Sequence, residues 1–293
     1  MSSRTGAQIL VDTLVDEGVR HIFGIPGGVV IPIFDVLYDS PIDVILTRHE
    51  QGAGHAADGY ARASGKVGTC IATSGPGATN LVTAIATANF DSVPMVAVTG
   101  QVRTNLIGND AFQEADITGI TRPITKHSFL VKDVNKLGFA LRAAFHIART
   151  GRPGPVVVDI PVDVSTASTD QPVPKEIHLP GYNPHNEGNA RQIKLAADAI
   201  TKAQRPIIYA GGGVIIAEAA GLLREFAELT QAPVTTTLMG LGAFPEDHPL
   251  ALKMLGMHGT AYANFAMQHA DCIIAVGARF DDRITGKLDE FAP

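Results

Sequence analysis

Gly68-Thr69-Cys70-Ile71-Ala72-Thr73-Ser74-Gly75-Pro76-Gly77-Ala78-Thr79-Asn80 is the stretch on which the fold turns. Gly68 to Thr73 is a short, nearly unbroken apolar run, the pattern of a strand buried on both faces. Gly75, Pro76 and Gly77 break it, and Thr79 to Phe90 then reads as a helix. The same plan lies on either side. Asp43 to Thr47 is a strand followed by an Ala-rich helix from Gln51 to Ala63. Met95 to Thr99 is a strand, and a helix over Lys136 to Arg149 leads into a strand over Pro155 to Ile160. Near the start, Ile9, Leu10, Thr13 and Leu14 recur at helical spacing before a short strand, His21-Ile22-Phe23. Apolar strands alternating with helices predict an α/β fold with a parallel sheet covered on both faces.

Ser165 to Asn189 breaks the alternation with Pro172, Pro174, Pro180 and Pro184 among polar residues, and reads as an interdomain linker. The plan then restarts. Helices are predicted over Ala190 to Ala203, Ala217 to Gln231 and Thr260 to His269, and strands over Pro206 to Ala210, Pro233 to Thr237 and Asp271 to Val276. The expected division is a first domain over 1–165, a linker over 166–189 and a second domain over 190–293. Three strands fall short of the usual ~5–6 of an open sheet, so the second domain reads as truncated and the chain as a piece of a longer protein.

Of 293 residues, 45% are hydrophobic and 18% charged, enough to bury a sizeable core. The net charge of −6, with no clustered Lys and Arg, argues against nucleic acid as a partner. No apolar run of about 18 residues occurs, so no membrane span is expected. Met1 to Gly6 leads into a helix without a signal-peptide core. Cys70 and Cys272 sit in strand-like runs, read as buried small hydrophobes in a reducing, cytoplasmic setting. No metal spacing is found.

Five stretches carry candidate chemistry. Glu50 follows a strand and opens a helix, where it is either a first-turn acid favoured by the helix N-terminus or a functional carboxylate at the carboxyl end of a sheet. Gly24-Ile25-Pro26-Gly27-Gly28-Val29 is a strand-to-helix turn or a close backbone approach to a ligand. Thr73 to Asn80 is a loop able to meet an anion, without the Lys-Ser/Thr ending of a P-loop or the GxGxxG spacing of a dinucleotide fingerprint. Ala210-Gly211-Gly212-Gly213 and Gly277-Ala278-Arg279-Phe280-Asp281-Asp282-Arg283 end strands where a doubly wound sheet holds a nucleotide. Arg279 and Arg283 suit a diphosphate, or an exposed salt-bridged loop.

Together these stretches resemble the N-terminal portion of the acetohydroxyacid (acetolactate) synthase large catalytic subunits, enzymes dependent on thiamine diphosphate and FAD. The resemblance rests on GIPGG at 24–28, RHEQGAGHAADGYARASGK at 48–66 and ATSGPGATNLVTAIATA at 72–88. It extends through TGQ at 99–101, GNDAFQEAD at 108–116, ITKHSFLV at 124–131 and TGRPGPVVVDIP at 150–161. In the second domain it takes in TTTLMGLGAFPEDHP at 235–249, MLGMHGTAYAN at 254–264 and GARFDDRITGKL at 277–288.

The resemblance implies a pyrimidine-binding domain followed by an incomplete Rossmann-like central domain. It makes Glu50 the glutamate that hydrogen-bonds the aminopyrimidine ring and assists proton removal. Pro26, Gly28, Thr73, Pro76, Asn80 and Gln113 become contacts to thiamine diphosphate. Gly28 and Gln113 join Glu50 as catalytic positions, and Phe112 lies near substrate. It assigns to FAD, largely structural in these enzymes, Arg152 from the first domain. In the second domain it assigns Gly211, Gly212, Gly213, Thr237, Leu238, Met257, His258, Gly277, Arg279, Asp281 and Arg283. Mg2+ and the diphosphate are expected on a third domain that this sequence does not contain. The implied partners are further full-length chains, in a homodimer or tetramer, and a regulatory small subunit. The implied reaction decarboxylates pyruvate and transfers the two-carbon unit to a second pyruvate or to 2-ketobutyrate.

Three positions depart from the pattern. Val162 stands where Lys is frequent, Arg103 where Pro is common and Val29 where Ala is usual. They bear on the substrate channel, not on the cofactor chemistry. Related readings on the same scaffold are a pyruvate oxidase and a sulfoacetaldehyde acetyltransferase, with AFQEAD and MLGMHG favouring the synthase. Glyoxylate carboligase lacks the glutamate matched by Glu50. For the 293 residues alone, a flavin-binding and dimerisation module without carboligation is expected. A nucleotide-dependent oxidoreductase is disfavoured by the missing GxGxxG.

Overall fold

A computed structural model describes residues 3–293. The chain forms two units, one ending at Asn186 and the other spanning Glu187–Pro293. The first holds β1 (Arg4–Thr5), β2 (His21–Gly24), β3 (Asp43–Leu46), β4 (Gly68–Ala72), β5 (Met95–Gln101), β6 (His127–Leu130), β7 (Pro155–Pro161) and β8 (Ser168–Thr169). Six of these make one parallel sheet in the order β3-β2-β4-β5-β7-β6. β1 and β8 form a separate antiparallel clasp, Arg4 opposite Thr169 and Thr5 opposite Ser168.

Successive strand residues point to opposite faces, so each central strand serves two cores. Val96, Val98, Val156, Val158 and Ile160 face the helices Gly6–Asp16, Ile31–Tyr38 and Val134–Arg149, which contribute Leu10, Leu14, Ile33, Leu141 and Phe145. Cys70, Ala72, Met95, Ala97 and Val157 face the helices Glu50–Ser64 and Val82–Asp91. The second core is lined by Ala53, Ala57, Ala61 and Ala88, and these small side chains let the first of its helices lie close on β4. Each fully buried Val, Leu or Ile adds about 1.5–3 kcal/mol, which is why the central strands tolerate so few polar residues.

The second unit has β9 (Pro206–Ala210), β10 (Val234–Thr236), β11 (Ala251–Met254) and β12 (Cys272–Val276), all parallel, in the order β11-β10-β9-β12. Renumbered from β9, that order is 3-2-1-4, the start of the Rossmann arrangement.

Several expectations change. The helix expected over Thr79 to Phe90 is two helices, Pro76–Thr79 and Val82–Asp91. Pro76, with no N–H to satisfy, opens the first, and the Leu81 amide bonds back to Ala78, tightening the turn between them. The glycine run starts a short helix at Gly212–Ile216, with the longer one following at Ala220–Thr230. The segment read as a linker is packed on the first unit as far as Asn186: β8 pairs with β1, Val173 lies against Gly138, and the Tyr182 hydroxyl donates to the Thr150 carbonyl at 2.9 Å. The second unit has a fourth strand, β11, whose Lys253 lies at φ 61° beside a register shift and spoils the period-2 pattern. Cys70 is buried as expected, but Cys272 is only half-buried because β12 lies at the sheet edge. Among the described residues no helix is long and apolar enough to cross a membrane.

Candidate functional site

In the first sheet β2 sits between β3 and β4, so the chain's path reverses direction at the β2/β4 boundary. Ligands of open α/β sheets bind outside the carboxyl ends of strands at such a switch point. Two of the predicted loops leave from there. Gly24 ends β2 and leads into Pro26 and Gly27, with Gly28 opening the turn Gly28–Val30. Ala72 ends β4 and leads through Thr73 to Gly75. The loops touch, since a Cβ on Gly27 would lie 2.6 Å from the Thr73 Cβ. The Thr73 hydroxyl is buried and has no hydrogen-bond partner in the chain. An orphaned buried hydroxyl costs about 1–3 kcal/mol, the kind of cost offset when a ligand supplies the partner.

Glu50 is the first residue of the helix Glu50–Ser64, capped by His49 Nδ1 accepting from the Gln51 amide. The helix N-terminus favours its negative charge. Asn80, held in the irregular turn after Thr79, donates from Nδ2 to Glu50 Oε2 at 2.9 Å. The other oxygen, Oε1, lies 3.3 Å from the place a Cβ would take on Gly77. A side chain there would crowd both Oε1 and the Thr73 methyl, at 2.8 Å, so only glycine leaves that face of the carboxylate clear. Glu50, remote in sequence, thus shares one small volume with Thr73, Gly77 and Asn80 of a single loop.

The Gln113 loop closes on the same place. Gly75 has φ 60° and ψ −119°, a conformation open essentially to glycine. A Cβ on it would meet the Gln113 carbonyl oxygen at 2.4 Å. Gln113 is itself left-handed at φ 57°, strained backbone of the sort that clusters at functional sites. The loop is stitched internally by the Glu114 carboxylate, which accepts from the Gly108 and Ala111 amides and is held below the usual carboxylate range by those bonds. Phe112 is 88% exposed and Pro76 is also on the surface. Val29 packs against Gly100, where a Cβ would lie 2.5 Å from its Cγ2.

The residues expected to hold a flavin fall in two places. Arg152, on the first unit, donates to Ser92 Oγ at 2.7 Å and reaches the carbonyls of Asn89 and Phe90, so it caps the C-terminus of Val82–Asp91. The others are on the second unit, around the carboxyl ends of β9 and β12. There the Gly213 amide donates to the Gly277 carbonyl at 3.0 Å, and Cβ atoms at Gly211, Gly213 or Gly277 would each strike backbone within 2.7 Å. Gly212 faces Met239. Thr237 caps the turn Leu238–Gly240 and Leu238 is exposed. The Met257 amide donates to the Arg283 carbonyl at 2.8 Å, joining the exposed Met257-His258 loop to the 277–283 loop. Asp281 caps Asp282–Thr285, and Tyr209 donates to the Arg279 carbonyl at 2.8 Å, leaving the Arg279 and Arg283 side chains exposed.

One group escaped the sequence reading. Asp159, on β7, is buried and accepts from Thr99 Oγ1 at 2.7 Å and Gln101 Nε2 at 3.0 Å. Burial pushes its carboxyl up to about 7, against those two hydrogen bonds. A lone acid inside Val156-Val157-Val158-Asp159-Ile160 was the available signal.

Residues 4–120 match the family model described as "Thiamine pyrophosphate enzyme, N-terminal TPP binding domain", and residues 193–293 the one described as "Thiamine pyrophosphate enzyme, central domain". An acetolactate synthase large subunit of Corynebacterium glutamicum is 59% identical over 290 residues, covering 99% of this chain and 46% of that protein. A probable acetolactate synthase large subunit of Methanocaldococcus jannaschii is 57% identical, covering 98% of this chain and 49% of that protein. That of Porphyra purpurea is 54% identical, covering 99% and 50%. The chain spans about half the length of these curated relatives. It belongs to the thiamine pyrophosphate enzymes, and over nearly its whole length it is similar to acetolactate synthase large subunits.

Proposed function

We propose that this chain is the pyrimidine-binding and central part of an acetolactate synthase large subunit. The whole enzyme would decarboxylate pyruvate and join the two-carbon unit to a second pyruvate or to 2-ketobutyrate, giving 2-acetolactate or 2-aceto-2-hydroxybutyrate. The observation that carries this reading is the Glu50 carboxylate, held by Asn80 on one oxygen and opened by Gly77 on the other. Thiamine diphosphate, when bound, supplies an acidic carbon that becomes the nucleophile toward a 2-keto acid. Glu50 would hold its pyrimidine ring and exchange a proton at Oε1. Asn80 fixes the carboxylate, the orphaned Thr73 hydroxyl offers the ring a partner, and Pro26 and Gly28 line the turn opposite. Gln113 and Phe112 would stand at the substrate side.

FAD belongs to the same proposal. Gly211, Gly213 and Gly277 let the turns after β9 and β12 pack backbone to backbone at the switch point where a doubly wound sheet holds a dinucleotide, and Arg279 and Arg283 suit its diphosphate. We assign Mg2+ and the thiamine diphosphate phosphates to the part of the relatives that lies outside this match, so these 293 residues alone would bind flavin without carboligation. The relatives' designation as large subunits supports a regulatory small subunit. Exposed Ile45 and Leu46 on the edge strand β3 support self-association as a homodimer or tetramer. Free Cys70 and Cys272 support a cytoplasmic setting.

Glu50→Gln in the complete enzyme tests the reading. The carboxamide keeps the shape and loses the proton exchange, so acetolactate formation should fall about 100-fold or more. Unchanged turnover would sink the assignment.

A further inference from the structure

The Gln113 loop needs something to hold it over Gly75, because Phe112 and Gln113 bury little themselves. The anchor runs from the sheet. Gln101, the last residue of β5, uses both hydrogens of Nε2, one to Asp159 Oδ2 at 3.0 Å and one to the Ala115 carbonyl at 2.8 Å. Its Oε1 accepts from the Val102 amide at 2.9 Å, so the amide group is fully used and cannot be flipped without loss. Thr99 donates to the other Asp159 oxygen, fixing the carboxylate in the plane Gln101 needs. A proton on Oδ1 still leaves Oδ2 as an acceptor. Beyond Ala115, the same carbonyl accepts from the Ile117 amide, and Asp116 caps the helix Ile117–Thr121. A carboxyl 1% exposed in a central strand is costly to keep, and here it has one evident task, orienting the Gln101 amide toward the loop.

We propose that Asp159 is a positioning residue which, through Gln101, tethers the Ala115 carbonyl and so sets where Phe112 and Gln113 stand relative to Gly75 and Glu50. The proposal rests on reading Phe112 and Gln113 as substrate-side positions.

The test uses Asp159→Leu and Gln101→Met. In the first, Gln101 Nε2 and Thr99 Oγ1 both lose their acceptor. In the second, the amide is lost while the Asp159–Thr99 bond remains, so this variant keeps the test open if the first folds poorly. Hydrogen exchange is followed at the Ala111, Glu114 and Ile117 amides, all bonded within the loop region. Both variants should exchange roughly 3- to 10-fold faster there, the loss of one net hydrogen bond, with β5 and β7 unchanged. Exchange at wild-type rates in folded Gln101→Met would overturn the tether. In the complete enzyme the same variants should raise KM for pyruvate several-fold more than they lower kcat. Faster exchange with KM unmoved would overturn the placement of this loop at the substrate, and so separates failure of the reading from failure of the tether.

Discussion

Gly75→Ala puts the close approach of two loops to a quantitative test. Two penalties combine at this position. The backbone at φ 60° and ψ −119° is one that an L-residue adopts at a cost of about 1–3 kcal/mol. The new methyl would lie 2.4 Å from the Gln113 carbonyl oxygen, which is backbone and cannot swing aside, adding about 1–3 kcal/mol for overpacking. Together they predict a loss of about 2–6 kcal/mol, a large part of the ~5–15 kcal/mol that keeps a domain folded. Urea unfolding followed by far-UV circular dichroism should show the midpoint of the first unit falling by roughly 1 M or more. Gly59→Ala is the matched control. Gly59 lies in the helix Glu50–Ser64, exposed, with nothing within 4 Å of its added Cβ, so alanine there should stabilise by about 0.5–1 kcal/mol. A Gly75→Ala midpoint level with that of Gly59→Ala would refute the geometry on which the site is built.

Asp159 gives a pH signature. Its carboxyl is raised by burial from an ordinary 3.8 to about 7, so the folded chain holds the proton over a range where the unfolded chain releases it. The stability it contributes is full below the unfolded value and is lost as pH rises through about 7, about 4 kcal/mol in all. Asp159→Asn should therefore flatten the fall in urea midpoint between pH 5 and pH 8, and an unaltered slope would contradict the burial argument. Lys126→Met removes an ammonium that donates to the Ile147 carbonyl, to the Thr150 carbonyl at 2.7 Å and to the Tyr182 hydroxyl at 3.1 Å. A loss of about 1–3 kcal/mol and faster proteolysis within residues 170–186 should follow, and resistance equal to wild type would show that Tyr182 is held without it. Arg152→Ala should weaken flavin retention on gel filtration and, by uncapping the helix Val82–Asp91, cost about 0.5–1 kcal/mol. An unaltered flavin spectrum would leave Arg152 with the capping role alone.

The central strands were readable because they are buried on both faces. β4, β5 and β7 are dominated by buried apolar residues, and each is legible to within two residues. β6 and β11 are not, because these two edge strands, unlike β3 and β12, carry mixed residues such as His127-Ser128 and Lys253, and no period survives. Glu50 could be placed at a helix start from the sequence. Its partner could not, since the Asn80 contact depends on a break in a helix that propensity reads as continuous. The segment 166–189 shows a related limit. Proline and polar residues mark irregular backbone, but whether that backbone packs depends on partners such as Lys126 and Gly138, remote in sequence. Asp159 shows the same limit, for one acid among valines announces burial but not what it holds.

The clasp between β1 and β8 links Arg4 and Thr5 to Ser168 and Thr169, so the first strand waits for the last one of its unit. During synthesis Arg4 and Thr5 leave the ribosome well before Ser168 and Thr169, and stay without their β partner until the chain has grown past Thr169 and cleared the exit tunnel. Chains emerge at about 5–20 residues per second, so that wait lasts on the order of ten seconds or more. Over that interval the helix Gly6–Asp16, whose Ile9, Leu10 and Leu14 belong to the core, has only provisional shelter. The nascent chain should then be most exposed to chaperones and proteases around this helix, and a stall before residue 168 would hold it there.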